Sequence, residues 1–145
     1  MSIRIFYDEV SYRYKGWLKL KGLLKQIITN SENRPGELSI ILTGDTTLKG
    51  INVQFLEHDY FTDVITFNYN EDNIINGEIY ISIDTVRNNA QNYDVSLYNE
   101  LTRVIIHGVL HLTGYNDKSE EERKLMRDQE DRWLETGKEK YGLRI

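Results

Sequence analysis

Apolar residues recur along this chain with two different periods, and the switches between them mark the elements. Residues 2–7 alternate Ile3 and Ile5 against Arg4 and Phe6, the two-residue period of a strand. Between 13 and 29, Trp17, Leu20, Leu24, Ile27 and Ile28 fall at helical spacing. Residues 38–43 return to a strand pattern, and 45–55 predict a short helix with Leu48, Ile51 and Phe55 on one face. Residues 64–69 and 78–83 read as strands. In the second, Ile79, Ile81 and Ile83 share one face while Glu78, Tyr80 and Ser82 share the other. A short helix is predicted over 84–92.

Two better-defined helices follow. The first, over 96–113, carries Leu97, Leu101, Val104, Ile105 and Leu112 on one stripe and meets its stop at Gly114. The second opens on Ser119 and Glu122, which form a capping box. It packs Leu125, Met126, Trp133 and Leu134 and is expected to end near Thr136, at Gly137. Pro35, the only proline, lies in a polar stretch that reads as a turn. Strands and helices mix without strict alternation. The pattern predicts an α+β fold, a single domain over residues 1–145 with a small mixed sheet packed by about five helices.

Composition narrows the class. The length of 145 residues suits one core. No apolar run is long enough to span a bilayer, the first residues do not read as a signal peptide, and the cytoplasm is the simplest location. With no cysteine, disulfides and thiolate metal ligands are excluded. The net charge of −5 removes any general basic field for nucleic acid, so RNA binding would need a local patch. Two stretches qualify: Arg13, Lys15, Lys19, Lys21 and Lys25, and then Lys118, Arg123, Lys124 and Arg127. Either also reads as a solvated helix face.

The chemistry concentrates in one place. Of the three histidines, His107 and His111 stand four apart on a predicted helix, one turn apart on one face. Such a pair can reach one metal ion or simply border an apolar stripe. Gly114 then lets the chain turn, and three residues later Asp117 arrives where it can fold back. Two imidazoles and a carboxylate meet the demand of a catalytic zinc, which takes three protein ligands and leaves one position open. The expected cofactor is one zinc ion on His107, His111 and Asp117. Zinc-peptidase helices place glutamate directly after the first histidine; here that position is Gly108. A peptidase or amidase of that mechanism therefore lacks its base.

The run His107-Gly-Val-Leu-His111-Leu-Thr-Gly114-Tyr-Asn-Asp117 resembles the YbeY family of zinc-dependent endoribonucleases, whose pattern is His-Gly-x-Leu-His-Leu-x-Gly-Tyr-Asp-His. Thr62-Asp63-Val64-Ile65-Thr66-Phe67 and Asn76-Gly77-Glu78-Ile79-Tyr80-Ile81-Ser82 are similar to two further family segments, in the same order. The resemblance covers roughly residues 40–135. It implies a small sheet with surrounding helices, a zinc cleft reminiscent of metalloprotease folds, and single-strand RNA cleavage. It also implies maturation of the small-subunit ribosomal RNA 3′ end, ribosome quality control and ribosome-assembly partners. Three departures stand out. The family's third histidine is Asp117, which makes the site harder and more negative. The family arginine upstream falls on Leu56, and the Gly-Asp pair is Gly77-Glu78.

Other candidates are weaker. Asp63 is a candidate general base, a partner for a metal histidine, or a turn residue. Glu78, on the polar face of its strand, is a second catalytic candidate. His58 reads as an exposed loop residue, with contact to substrate the lesser alternative. Glu100 lies two turns before His107, about 10 Å along the helix, and is read as a charge at the helix start. The rival functions are a zinc peptidase or amidase and a non-catalytic RNA-binding assembly factor with a structural metal.

Overall fold

The computed structural model describes residues 2–56 and 62–145. The elements in order are β1 (Ser2–Tyr7), α1 (Trp17–Asn30), β2 (Arg34–Thr43), α2 (Asp45–Leu56), β3 (Val64–Asn68), β4 (Ile74–Ser82), α3 (Ile83–Asn92), α4 (Leu97–Leu112) and α5 (Glu120–Glu139). The strands form one mixed sheet in the order β1-β2-β4-β3, with β1–β2 and β2–β4 parallel and β3 antiparallel to β4. The expected α+β class, mixed sheet and helix number are all observed.

The pleat decides what each face of the sheet meets. Ile75, Ile79 and Ile81 of β4 are buried, and Ile79 packs directly beneath α4. Glu78 and Tyr80 alternate onto the opposite face. Beyond its first turn, α4 is buried at every position except Arg103, His107 and His111. The sequence stripe had assigned it one apolar face. It runs instead as the central helix, touching α1, α3, α5 and both β3 and β4.

Four boundaries differ from the sequence expectation. Helix α1 starts at Trp17 rather than 13, because Gly16 before it takes the left-handed conformation (φ 78°). Pro35 lies inside β2 rather than in a turn. It sits beside a register shift between Pro35 and Leu38, the kind of irregularity where a strand tolerates a residue without N–H. Strand β4 begins at Ile74, four residues before the predicted start. Helix α5 runs through Gly137 to Glu139, since a side chain there would press within 3.0 Å of Leu23 and 3.1 Å of Leu143. That glycine serves packing, not termination. Among the described residues no helix is long and apolar enough to cross a membrane.

Candidate metal centre

Arg103, His107 and His111 recur every fourth residue of α4 and so share one face. That face forms the floor of a cleft of 680 Å³. The loop before β3 contributes Thr62 and Asp63, the α3–α4 connection contributes Tyr93 and Val95, and Asp117, Arg127 and Glu130 close the far side.

Each histidine is oriented by a bond on its Nδ1. The end of α4 explains His111. Thr113 is the C-cap, and Gly114 follows with φ 117°. The Gly114 N–H donates to the His111 carbonyl and the Tyr115 N–H to that of Leu110, both at 3.1 Å. This is the Schellman pattern, which needs a left-handed residue and so favours glycine. It swings the Tyr115 carbonyl beneath His111, whose Nδ1–H donates to it at 3.0 Å. A carbonyl oxygen can only accept, so Nδ1 carries a proton and Nε2 is the nitrogen left to meet a metal.

His107 is held from α5. Its Nδ1–H donates to Glu130 Oε2 at 2.7 Å. Arg103 fixes that carboxylate, donating from Nη1 to Glu130 Oε1 at 3.0 Å and from Nη2 to Asp131 at 2.7 Å. On its other side His107 Nε2 lies 3.3 Å from Asp117 Oδ2. The turn at Gly114 thus returns Asp117 to the histidine face, as the spacing suggested.

The donors suit a zinc ion. Two imidazoles offer Nε2 while Nδ1 is tied to a carboxylate or a carbonyl, the outer arrangement usual for metal-bound histidine. The 3.3 Å between His107 Nε2 and Asp117 Oδ2 is close to the ~3.4 Å separating two donors on a tetrahedral ion with bonds of about 2.0–2.1 Å. His111 lines the same cleft. Among the described residues, however, no three His, Asp or Glu side chains form a group tight enough to hold an ion as they stand.

Electrostatics follow from burial and crowding. Burial pulls the His107 imidazole down, but the Glu130 bond and the charges of Glu130, Asp117 and Asp63 outweigh it and hold it above its ordinary value. Burial pushes the Asp63 carboxyl up against the opposing pull of His107. Glu100 is raised by burial too, with Arg103 opposing.

The candidates from sequence separate here. His107, His111, Asp117 and Asp63 all reach the cleft. Asp63 accepts a weak bond from Asn89 Nδ2 at 3.4 Å, and its carbonyl accepts the Ser82 N–H at 2.9 Å. Glu78 is not brought there. It lies on the sheet face away from α4, accepting bonds from Tyr69 and Tyr80 at 3.0 and 3.4 Å. Glu100 is more than a charge at a helix start: it is 4% exposed and lines the cleft. Leu56 ends α2 outside the lining, and His58 lies outside the described residues. Sequence reading passed over Glu130 and Arg103. Glu130 had a signal, since a carboxylate there interrupts the buried stripe of Met126, Trp133 and Leu134.

An α+β domain with two histidines one turn apart on the floor of a cleft is the arrangement that the comparisons with known proteins place among the hydrolases that cut RNA. The model of the family described as Endoribonuclease YbeY matches residues 9–138, and this chain belongs to that family. The Endoribonuclease YbeY of Parabacteroides distasonis is 44% identical over 134 residues, covering 92% of this chain and 94% of its own. That of Flavobacterium johnsoniae is 44% identical over 108 residues, covering 74% and 78%. The solution structure of TM1509 from Thermotoga maritima superposes with a TM-score of 0.70 at 30% identity, covering 97% of this chain and 92% of that one.

Proposed function

We propose that the chain, acting as one domain over residues 1–145, is a zinc-dependent single-strand endoribonuclease. On this reading it works in the cytoplasm on ribosomal RNA, at the small-subunit 3′ end, among ribosome-assembly proteins. Family membership supports the endoribonuclease class. The observation that carries the metal reading is the shared orientation of the two imidazoles. Both Nδ1 atoms are occupied by acceptors, and Asp117 stands 3.3 Å from Nε2 of His107.

His107, His111 and Asp117 would hold the ion. When bound, zinc lowers the pKa of a water molecule and offsets negative charge on a phosphoryl oxygen. The rest is the work of side chains. Glu130 and Arg103 keep His107 in one tautomer and one orientation. Asp63 would take a proton from the attacking oxygen; its place in the cleft and the upward push of burial support that role, since a base works best with a pKa drawn toward the working pH. Gly108 leaves no room for the glutamate of a peptidase, because a Cβ there would fall 2.9 Å from Ile79 Cγ2.

The test combines elemental analysis of the purified protein with cleavage of single-stranded and duplex RNA, with and without a chelator. We expect one equivalent of zinc, cleavage confined to single strands, and loss with chelator. Asp117→Ala is expected to lower zinc content and cleavage together. An Asp117→Ala protein that keeps both would remove Asp117 from the ligand set. Cleavage that survives the chelator would remove the metal from the mechanism. Product ends, cyclic phosphate or 5′-phosphate, then report whether the ribose 2′-OH or water is the attacking group.

A further inference from the structure

The cleft has a charge problem for a polyanion. Asp63, Glu100, Asp117 and Glu130 line it, against two arginines, Arg103 and Arg127. Arg103 is already spent: both of its terminal nitrogens are committed to Glu130 and Asp131 at 3.0 and 2.7 Å. Arg127 is exposed, and among the described residues no hydrogen bond or ion pair engages it. It stands three residues before Glu130 on α5, so the two share a face about 4.5 Å apart along the axis. Glu130 in turn touches His107. The free guanidinium therefore sits one turn from the histidine partner, on the Asp117 side of the cleft.

Arg127 also lines a second groove along the first half of α5, where Arg123 and Lys124 stand beside Glu120, Glu121 and Asp128. Arg123 and Arg127, four apart, lie on one helix face. Arg123 donates to the Lys118 carbonyl at 2.6 Å, which leaves the rest of its fork free. The groove and the cleft thus meet at Arg127.

We propose that Arg127 binds the phosphate next to the one being cut, and that the RNA strand leaves the cleft along α5 over Arg123 and Lys124. This rests on the endoribonuclease reading of the cleft. It assigns the cations that a chain of net charge −5 needs for a polyanion to Arg127, Arg123 and Lys124 within a groove of mixed charge, and it chooses the later of the two basic stretches over the earlier one. An arginine fork matches a phosphate with two parallel bonds, which a lysine cannot reproduce.

The experiment measures binding of zinc-loaded protein to a fluorescent, cleavage-resistant 2′-O-methyl RNA strand of about 12 nucleotides, a length chosen from typical single-strand site sizes. Affinity is followed across a salt series, beside kcat/KM on cleavable RNA. Each phosphate contact contributes about 0.7 to the slope of log affinity against log salt for single strands. Arg127→Ala is expected to weaken binding about 10-fold and to lower the slope by about 0.7. Its zinc content and melting temperature should not change, and the loss in kcat/KM should appear mainly in KM. Arg127→Lys is expected to keep the slope and recover only part of the affinity. Arg123→Ala with Lys124→Ala should lower the slope further, while Lys19→Ala with Lys21→Ala on α1 should leave it untouched. If the parent protein binds and cuts RNA but Arg127→Ala matches it in affinity and slope, the assignment fails and the endoribonuclease reading stands. If the α1 pair carries the slope, the path over α5 is wrong. If the parent protein neither binds nor cuts RNA, both readings fall together.

Discussion

At the scale of single residues, the site depends on a relay that sequence spacing does not display. His107 is aimed by Glu130, and Glu130 is aimed by Arg103. Glu130 is 8% exposed, so its charge is not screened as a surface ion pair would be. Asp131, the other partner of Arg103, stands in solvent. The two carboxylates should therefore differ in effect although both bind one arginine. Glu130→Gln keeps the shape and removes the charge that fixes the Nδ1 proton. Zinc affinity is expected to fall about 10–100-fold, the usual consequence of losing an outer-shell partner. Asp131→Asn should shift it far less. A competition titration against a chromophoric chelator measures both. Equal affinity in Glu130→Gln and the parent would show that Glu130 does not orient a ligand.

At the scale of elements, the close seat of α4 on β4 sets the depth of the cleft floor, and Gly108 permits it. A methyl group there would lie 2.9 Å from Ile79 Cγ2 and 3.0 Å from its Cδ1. Ile79 is fully buried and branched at Cβ, so it has little freedom to yield. Gly108→Ala gains helix propensity yet overpacks the seat, and a net loss of about 1–3 kcal/mol is expected. Gly50, on exposed α2, has nothing within 4 Å. Gly50→Ala should instead stabilise by about 0.5–1 kcal/mol, the ordinary helical gain. Urea melts of both proteins test the contrast. Adding Ile79→Ala to Gly108→Ala should cost less than the sum of the two separate changes, because they share one space. Two independent losses that simply add would contradict this packing. Periodicity had placed α4, its capped successor α5 and the Gly114 turn, because each is written in local spacing. The ends of α1 and β2 were not legible. A left-handed Gly16 and a register shift beside Pro35 are settled by what they pack and pair against. Gly137 misled for the same reason: its missing side chain answers to Leu23, far away in sequence.

At the scale of the whole molecule, the approach of Asp117 to His107 was legible because one helix turn and one return turn carry it. Of the other carboxylates in the cleft only Asp63 had been a candidate, since Glu100 and Glu130 lie on two separate helices that only the tertiary fold brings to it. That convergence has a thermodynamic consequence. In the metal-free protein His107 is held above its ordinary value of 6.5, burial being outweighed by Glu130, Asp117 and Asp63. The folded chain then grips this proton more tightly than the unfolded chain. Its stabilisation is complete below 6.5 and is lost as pH rises through the folded value. Asp63 and Glu100, raised by burial, act with the same sign in a window opening at their ordinary values of 3.8 and 4.5. Metal works in the opposite direction. It binds the deprotonated ligands, so its contribution grows with pH, reaching about 2.7 kcal/mol when free zinc is at 100 times its Kd. Thermal melts between about pH 6 and about pH 8, the range over which histidine titrates, should show the metal-free protein falling in Tm. The gap between zinc-loaded and metal-free protein should widen over the same range. Glu130→Gln should flatten the metal-free trend, because it removes the largest upward pull on His107. A gap that stays level or narrows with pH would mean that His107 surrenders no proton to the ion, and would take it out of the ligand set.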